Sequence, residues 1–361
     1  MMKITPKKLY NYFISHVRSL FSQRTLRYID WFFKKGKTSV YGGDSFQLAY
    51  SQEFGDSVEY NKDVVKCFLK YGFSPRDYML FGFGTVNKAD EQRKTFISDW
   101  MKDEVLNKIE GWNNYLELCD KFGLYEKLKP FYKREVMQVE RNTPFETFRS
   151  FAQRNKHLFI KPNTDSYGNG AMVLDYENEA EIETIFKSLL KTQDSWIIEE
   201  KIIQSNAMAK WNDTSVNTVR MNTYLNRNGF FVLAPFMRTG HKGSIVDNGG
   251  AGGMYMLINE RTGMIISDAY DESGRCFVKH PESNYPFKGE FIPMWSELLA
   301  IAEEAHRSIP HHIYVGWDFA LSEKGWVLIE GNWGQFICQQ TCSKRGYKKE
   351  FLQYMNGGVI K

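Results

Sequence analysis

From Lys156 onward, apolar residues fall into short blocks of strand length separated by Gly, Asn, Asp and Ser clusters, the signature of strands joined by turns. "HLFIKP" reads as a strand, "TDSYGNGA" as a loop and "MVLD" as a second strand. "ENEAEIETIFKSLLK" follows as a helix with Ile182, Ile185, Phe186, Leu189 and Leu190 on one face. The strand "SWIIEEKII" comes next, then "VNTVRMNTYL" and "FFVLAPFMR" paired around Asn228-Gly229, and the glycine-rich "DNGGAGGMYMLI". A helix burying Leu298, Leu299 and Ala302 leads to a last hairpin. The first hundred residues read instead as mainly helical with aromatic-rich loops, "YGFSPRDYMLFGFG" being an irregular connection. Residues 112–140 give a helix, a break at Pro130 and a short strand. The pattern predicts an α+β chain with mostly antiparallel sheets behind a helical N-terminal region.

The last hairpin, "YVGWDFALSEKGWVLIEGN", carries polar residues that would weaken an ordinary sheet. Asp318 and Glu330 are an even number of positions apart, so they oppose each other only if an odd number of residues lies in the connection. A three-residue loop Glu323-Lys324-Gly325 satisfies this, with Gly325 left-handed and Ser322 facing Trp326. Asn332 then projects from the same face as Glu330, opposite Gly316. Opposed Cβ atoms lie roughly 5 Å apart, where like charges repel. A divalent cation relieves that repulsion, and two carboxylates with an amide oxygen form a hard donor set suited to Mg²⁺. The alternative is a solvent-facing edge hairpin kept soluble by its acids.

Two further stretches bear on polyanion binding. "FIKPNTDSYGNGAMVL" puts Lys161 at a strand end before a loop in which Gly168 and Gly170 allow backbone N–H groups to approach phosphates. It lacks the GxxxxGK[ST] pattern of a Walker loop, and a flexible turn beside an exposed lysine explains it too. "WIIEEKII" runs from four apolar residues into two acids and a lysine. A strand edge there can offer backbone groups to a purine and a carboxylate to a ribose; a core strand emerging into solvent at Glu199 is the other reading.

Composition narrows the classes. The chain has 361 residues with 42% hydrophobic and 25% charged content, enough for two or three globular lobes. It contains no run of eighteen apolar residues and no signal-peptide h-region at its start, which predicts a cytoplasmic protein. Five scattered cysteines (67, 119, 276, 338 and 342) suit reduced thiols, and their spacing does not support zinc. A net charge of +4 is too mild to suggest a nucleic-acid partner. Residues 1–37, however, hold nine Lys/Arg against the single acid Asp30, interleaved with Phe13, Ile14, Leu20, Phe21, Ile29, Trp31 and Phe32. Such a segment either lies on the anionic inner face of a membrane or packs on the rest of the protein with a solvated basic face.

Taken together, "FIKP", "YGNG", "WIIEEKI", "SVNTVRMNTY" and "GWDFALSEKGWVLIEGN" resemble the ATP-grasp enzymes, and within them the sugar-transfer-associated, teichuronopeptide-type branch; upstream, "DKFGLYEKLKPFYKREV" is similar too. The resemblance covers roughly residues 60–345 and implies an ATP-grasp fold of two α+β lobes. It divides the chain into a helical region 1–110, an ATP-grasp domain 111–345 and a basic tail 346–361, with a nucleotide lobe near 156–205 and a metal lobe near 206–345. It implies that Lys121 and Lys161 contact ATP phosphates beneath the loop of Gly168 and Gly170. It implies that Glu199, Glu200, Lys201 and Ile203 form the adenine and ribose edge, and that Asp318, Glu330 and Asn332 hold Mg²⁺. Clamping cations suit this chemistry, because a transferred phosphoryl group spreads charge over three oxygens.

One departure stands out. Many ATP-grasp ligases carry an arginine two positions before the first metal carboxylate, and here that position is Gly316. Arg220, sharing a strand face with Thr218 and Asn222, is the replacement candidate, unless it forms a structural salt bridge; Arg238 is the second. The resemblance implies a carboxylate-amine ligase acting through an acyl phosphate on a small carboxylate and an amine, one of them sugar-linked, in bacterial surface-polysaccharide biosynthesis. The alternatives are a phosphotransferase acting on a sugar hydroxyl and a nucleotide-binding scaffold without turnover. The aromatic content of 16% would suit sugar stacking, although aromatic residues more often fill cores.

Overall fold

The computed structural model describes residues 62–164, 170–176, 178–192 and 195–358. The basic segment 1–37 and Gly168 lie outside the described residues. The chain divides into two compact units: one of residues up to Lys108 together with Lys344–Lys349, the other of Ile109–Ser343 with the residues from Glu350 on.

The first unit is helical, from α1 (Lys62–Tyr71), α2 (Pro75–Leu80) and α3 (Asp90–Arg93) to α4 (Asp99–Ile109), which ends at the boundary. The stretch read as irregular contains α2, started by Pro75 and by a reciprocal cap between Ser74 and Asp77. Phe73, Phe81, Phe83 and Phe96 pack edge-on or stacked into its core. Arg93, buried beside them, donates to Asp63 at 2.6 and 2.8 Å and to the Phe83 carbonyl at 2.7 Å.

The second unit begins with α5 (Trp112–Cys119) and α6 (Lys121–Tyr132). α6 does not end at Pro130. It bends at Leu128, whose φ/ψ leave the helical region, and resumes to Tyr132, because a proline ring inside a helix displaces the turn before it. The first sheet comprises β1 (Val136–Glu140), β2 (His157–Pro162), β3 (Met172–Asp175) and β4 (Ser195–Glu200), all antiparallel, in the order β1-β4-β2-β3. The helices α7 (Phe145–Arg154) and α8 (Glu179–Thr192) cover one face, where Phe148, Phe151, Leu158, Ile160, Ile182, Phe186, Leu189 and Ile198 form a core. Alternation along β2 and β4 turns Lys161 and Glu199 to the other face.

After the short helix α9 (Asn206–Ala209), the second sheet is built on β5 (Thr218–Asn226), with β6 (Gly229–Val232) and β7 (Phe236–Thr239) both pairing with it. The single strand expected over "FFVLAPFMR" is thus two, broken where Ala234 adopts φ 46° ahead of Pro235. β8 (Met254–Leu257), β9 (Ala269–Tyr270) and β10 (Cys276–Phe277) extend one side; α10 (Trp295–Arg307) precedes β11 (Tyr314–Ser322) and β12 (Gly325–Asn332) on the other. All nine residues of β11 are buried between β5 and β12, so this strand is no solvated edge. The helices α11 (Ile337–Ser343) and α12 (Lys348–Met355) close the chain, with Phe351 packed against Tyr224, Tyr314 and Phe336. Two antiparallel sheets with flanking helices form the α+β architecture that the sequence pattern predicts. Among the described residues, no helix is long and apolar enough to cross a membrane.

Candidate functional site

The β11–β12 hairpin pairs Asp318 with Glu330 and Gly316 with Asn332, as parity predicts, but the odd residue is elsewhere. The turn has two residues, Glu323 and Lys324, with Ser322 opposite Gly325 rather than Trp326. A bulge at Ile329 restores the register before Glu330. Gly325, at φ 85°, supplies a left-handed residue immediately after the turn, a conformation glycine adopts without Cβ strain. Glu330 stands directly opposite Asp318, and Asn332 Nδ2 donates to Glu330 Oε1 at 3.2 Å. These three side chains present hard oxygens from one patch, a donor set that fits a divalent cation of the Mg²⁺ class.

Two arginines meet Asp318. Arg220, directly opposite it on β5, donates through Nε to Oδ1 and through Nη2 to Oδ2 at 2.7 Å. Arg238 on β7 brings Nη2 to 2.9 Å from Oδ2. Asp318 is 1% exposed. Burial pushes its carboxyl up, yet the two guanidinium groups outweigh that and hold it at about 2. Asp247, in the "DNGGAGG" stretch, accepts from the Thr218 N–H and hydroxyl and lies 3.7 Å from Arg238 Nη2. Burial raises its carboxyl above the ordinary range. Gly316 has a steric role here. A Cβ on it would sit 3.2 Å from Gly334 Cα and 3.3 Å from Arg220 Cδ, so Arg220 occupies the space a side chain at 316 would need.

On the first sheet, Lys161 Nζ lies 2.6 Å from Glu199 Oε1, and Arg134 donates through Nε and Nη2 to Oε2 at 2.9 and 2.6 Å. Glu199 therefore does not emerge into solvent. Burial pushes its carboxyl up, and Arg134 and Lys161 bring it down to about 2. Arg134 also donates to the Leu328 carbonyl at 2.6 Å, tying the first sheet to β12 two residues from Glu330. Lys121, at the start of α6, donates to the Asn163 carbonyl at 3.0 Å, near the end of the strand that carries Lys161. Glu200 accepts from Lys324 at 2.8 Å, the Lys201 N–H bonds the His157 carbonyl, and Ile203 is 63% exposed. Gly170, at φ 73°, stands against Pro162.

The structure thus brings Arg220, Arg238, Asp318, Glu330 and Asn332 together on the second sheet, and Lys161, Glu199 and Lys121 at one end of the first. Arg134 and Asp247 were not foreseen. Arg134 sits in a charged run, "KRE", whose burial has no periodic signal, and Asp247 precedes glycines that read as a loop.

Residues 133–354 match the family described as "Sugar-transfer associated ATP-grasp". No curated protein matches the chain. Among solved structures, the Coxiella burnetii D-alanine-D-alanine ligase aligns with TM-score 0.37 and 12% identity over 60% of this chain and 48% of its own. D-alanyl-alanine synthetase A of Vibrio cholerae aligns with TM-score 0.42 and 12% identity over 68% and 66%. The ATP-grasp ligase PsnB, complexed with a minimal precursor, aligns with TM-score 0.42 and 10% identity over 69% and 64%. The chain spans about half to two thirds of the length of these structures.

Proposed function

The chain belongs to the sugar-transfer associated ATP-grasp family, and from that premise we propose that it joins a small carboxylate to an amine, one of them sugar-linked, by way of an acyl phosphate. The observation that carries this reading is the cation cluster on Asp318: two arginines on neighbouring strands converge on a buried carboxylate that also faces Glu330. An isolated buried pair would be a poor stability device, because desolvation consumes most of the Coulomb gain. The same cluster is well suited to a reaction in which charge moves.

Asp318, Glu330 and Asn332 would hold Mg²⁺, which would supply positive charge to neutralise the phosphates. Arg220 and Arg238, which meet at Asp318, would supply the guanidinium charge for the transferred phosphoryl group. A guanidinium binds two oxygens of a phosphoryl or tetrahedral oxyanion at once, which an ammonium cannot. Arg220 Cδ lies 3.3 Å from where a Cβ on Gly316 would stand, which supports giving its guanidinium the role of the arginine many ATP-grasp ligases carry there. Lys161 is held by Glu199 and aimed by it, and Lys121 adds a second ammonium at the same strand end. The edge from Glu199 to Ile203 would receive the nucleoside.

Product analysis tests this. The protein is incubated with ATP, Mg²⁺ and panels of sugar acids, amino acids and amino sugars, and ADP and inorganic phosphate are followed together. A ligase releases both only when acid and amine are present, and hydroxylamine traps the acyl phosphate as a hydroxamate. ADP appearing with a phosphorylated sugar and no free phosphate would instead make it a phosphotransferase.

A further inference from the structure

Away from the nucleotide chemistry, Glu110 just before α5, Glu117 within it and His311 and His312 in the turn before β11 come together. His312 is fully buried (0% exposed), and neither of its ring nitrogens makes a hydrogen bond. Its Nε2 lies 3.8 Å from Glu117 Oε2, and its Nδ1 lies 3.5 Å from Glu110 Oε2, itself buried without a hydrogen-bond partner. His311 Nε2 is 2.9 Å from the same Glu117 Oε2. A buried imidazole with both nitrogens unsatisfied is costly unless something else engages them.

The geometry points to a site for a divalent transition metal of the zinc class, held by Glu117 Oε2, His311 Nε2 and His312 Nε2. One atom from each residue lies within 4.8 Å of the other two. Zinc binds histidine nitrogen and carboxylate oxygen at about 2.0–2.2 Å, so the edges of a tetrahedral shell measure roughly 3.3–3.5 Å. The 2.9 and 3.8 Å separations bracket that edge. The remaining contacts fall where a metal site places them. Lys127 Nζ takes the other Glu117 oxygen at 2.7 Å, leaving Oε2 to the histidines. Glu110 faces His312 Nδ1, the position of the carboxylate that orients a ligating imidazole, and its own Oε1 is fixed by the Ile313 and Tyr314 N–H groups at 2.9 Å. Asn114 Nδ2 donates to the His311 carbonyl. The His311 side chain is 45% exposed, which opens the fourth position to water. Such an ion would staple α5 to the root of β11, six residues before Asp318, without touching the nucleotide. Adjacent histidines carry no ligand spacing of their own, so the sequence does not announce the site.

The test uses tag-free full-length protein, stripped with chelator, then titrated with Zn²⁺ under excess Mg²⁺, with Co²⁺ as a spectroscopic probe. Wild type should take up one Zn²⁺ per chain at this site, give the intense visible bands of low-coordinate Co²⁺, and unfold at higher temperature when loaded. Losing a neighbour of a ligand already costs 10–100-fold in affinity, so His311→Ala and Glu117→Gln should each weaken zinc by at least about 100-fold. Circular dichroism checks that both variants fold. Asp318→Asn should bind zinc as wild type does. Failure of wild type to bind, wild-type zinc affinity in folded His311→Ala or Glu117→Gln, or loss of zinc in folded Asp318→Asn would each overturn the assignment.

Discussion

Moving the arginine from residue 220 to residue 316 probes the reaction at its least conventional point. Arg220→Ala removes two charge-assisted hydrogen bonds to Asp318, one of them at 2.7 Å, while Arg238 keeps its ion pair at 2.9 Å. Bonds to charged groups are worth about 1.5–3 kcal/mol each. With Arg238 still compensating, a net stability loss of about 2–3 kcal/mol is expected, or roughly 4–12 °C in Tm for a unit of this size. If the Arg220 guanidinium binds the transferred phosphoryl group, ligation should also fall by about 10²–10³, the usual cost of one transition-state donor. Truncation simultaneously frees the space in which Arg220 Cδ would stand 3.3 Å from a Cβ at 316, leaving Gly334 Cα at 3.2 Å as the close neighbour. The double variant Gly316→Arg/Arg220→Ala should therefore recover at least about tenfold of the lost rate. Gly316→Arg alone should be crowded and impaired. ADP release and amide formation are measured at 20 °C, with nucleotide affinity and Tm recorded alongside. Wild-type ligation by Arg220→Ala, or a folded double variant no faster than Arg220→Ala, would refute the reasoning.

Three further outcomes are expected. Lys161→Ala should weaken ATP binding and slow turnover by on the order of 10²-fold, measured by nucleotide titration and ADP release; unchanged kinetics would leave Lys161 a structural partner of Glu199. The Glu199 carboxyl, held at about 2 against an ordinary 4.5, is lowered by folding, so its contribution of about 3 kcal/mol is present above about pH 4.5 and lost as pH falls toward 2. Urea unfolding between pH 7 and 3 should therefore show a steeper acid decline in wild type than in Glu199→Gln, and equal slopes would contradict it. Iodoacetamide at pH 8 should label exposed Cys276 first, while buried Cys67, whose thiol is pushed up to about 11, stays unmodified in the native protein and half-buried Cys338, whose thiol is also raised, reacts more slowly than Cys276; mass spectrometry that finds Cys67 labelled as fast as Cys276 would count against its burial.

Local periodicity reaches a long way in this chain. It is enough to predict strands at 157–162 and 172–175, the helix whose Ile182, Phe186 and Leu189 are buried, and an antiparallel α+β arrangement, because side-chain alternation and helical repeat are properties of neighbouring residues. Parity ties the pairing of Asp318 with Glu330 to an odd number of unpaired residues between them, and alternation then puts Asn332 on their side of the sheet. Parity counts only the total of odd residues, however, so the placement of the bulge at Ile329 rather than in the turn belongs to the packed sheet. The partners of each charge are likewise tertiary. Asp318 meets Arg220 and Arg238, and Glu199 meets Lys161 and Arg134, across separations that no local pattern spans. Whether Glu199 ends in water or in a buried cluster depends on what packs above the strand. The sequence determined which residues could carry charge on one face; burial and the meeting of distant strands decided which of them are paired, and with what strength.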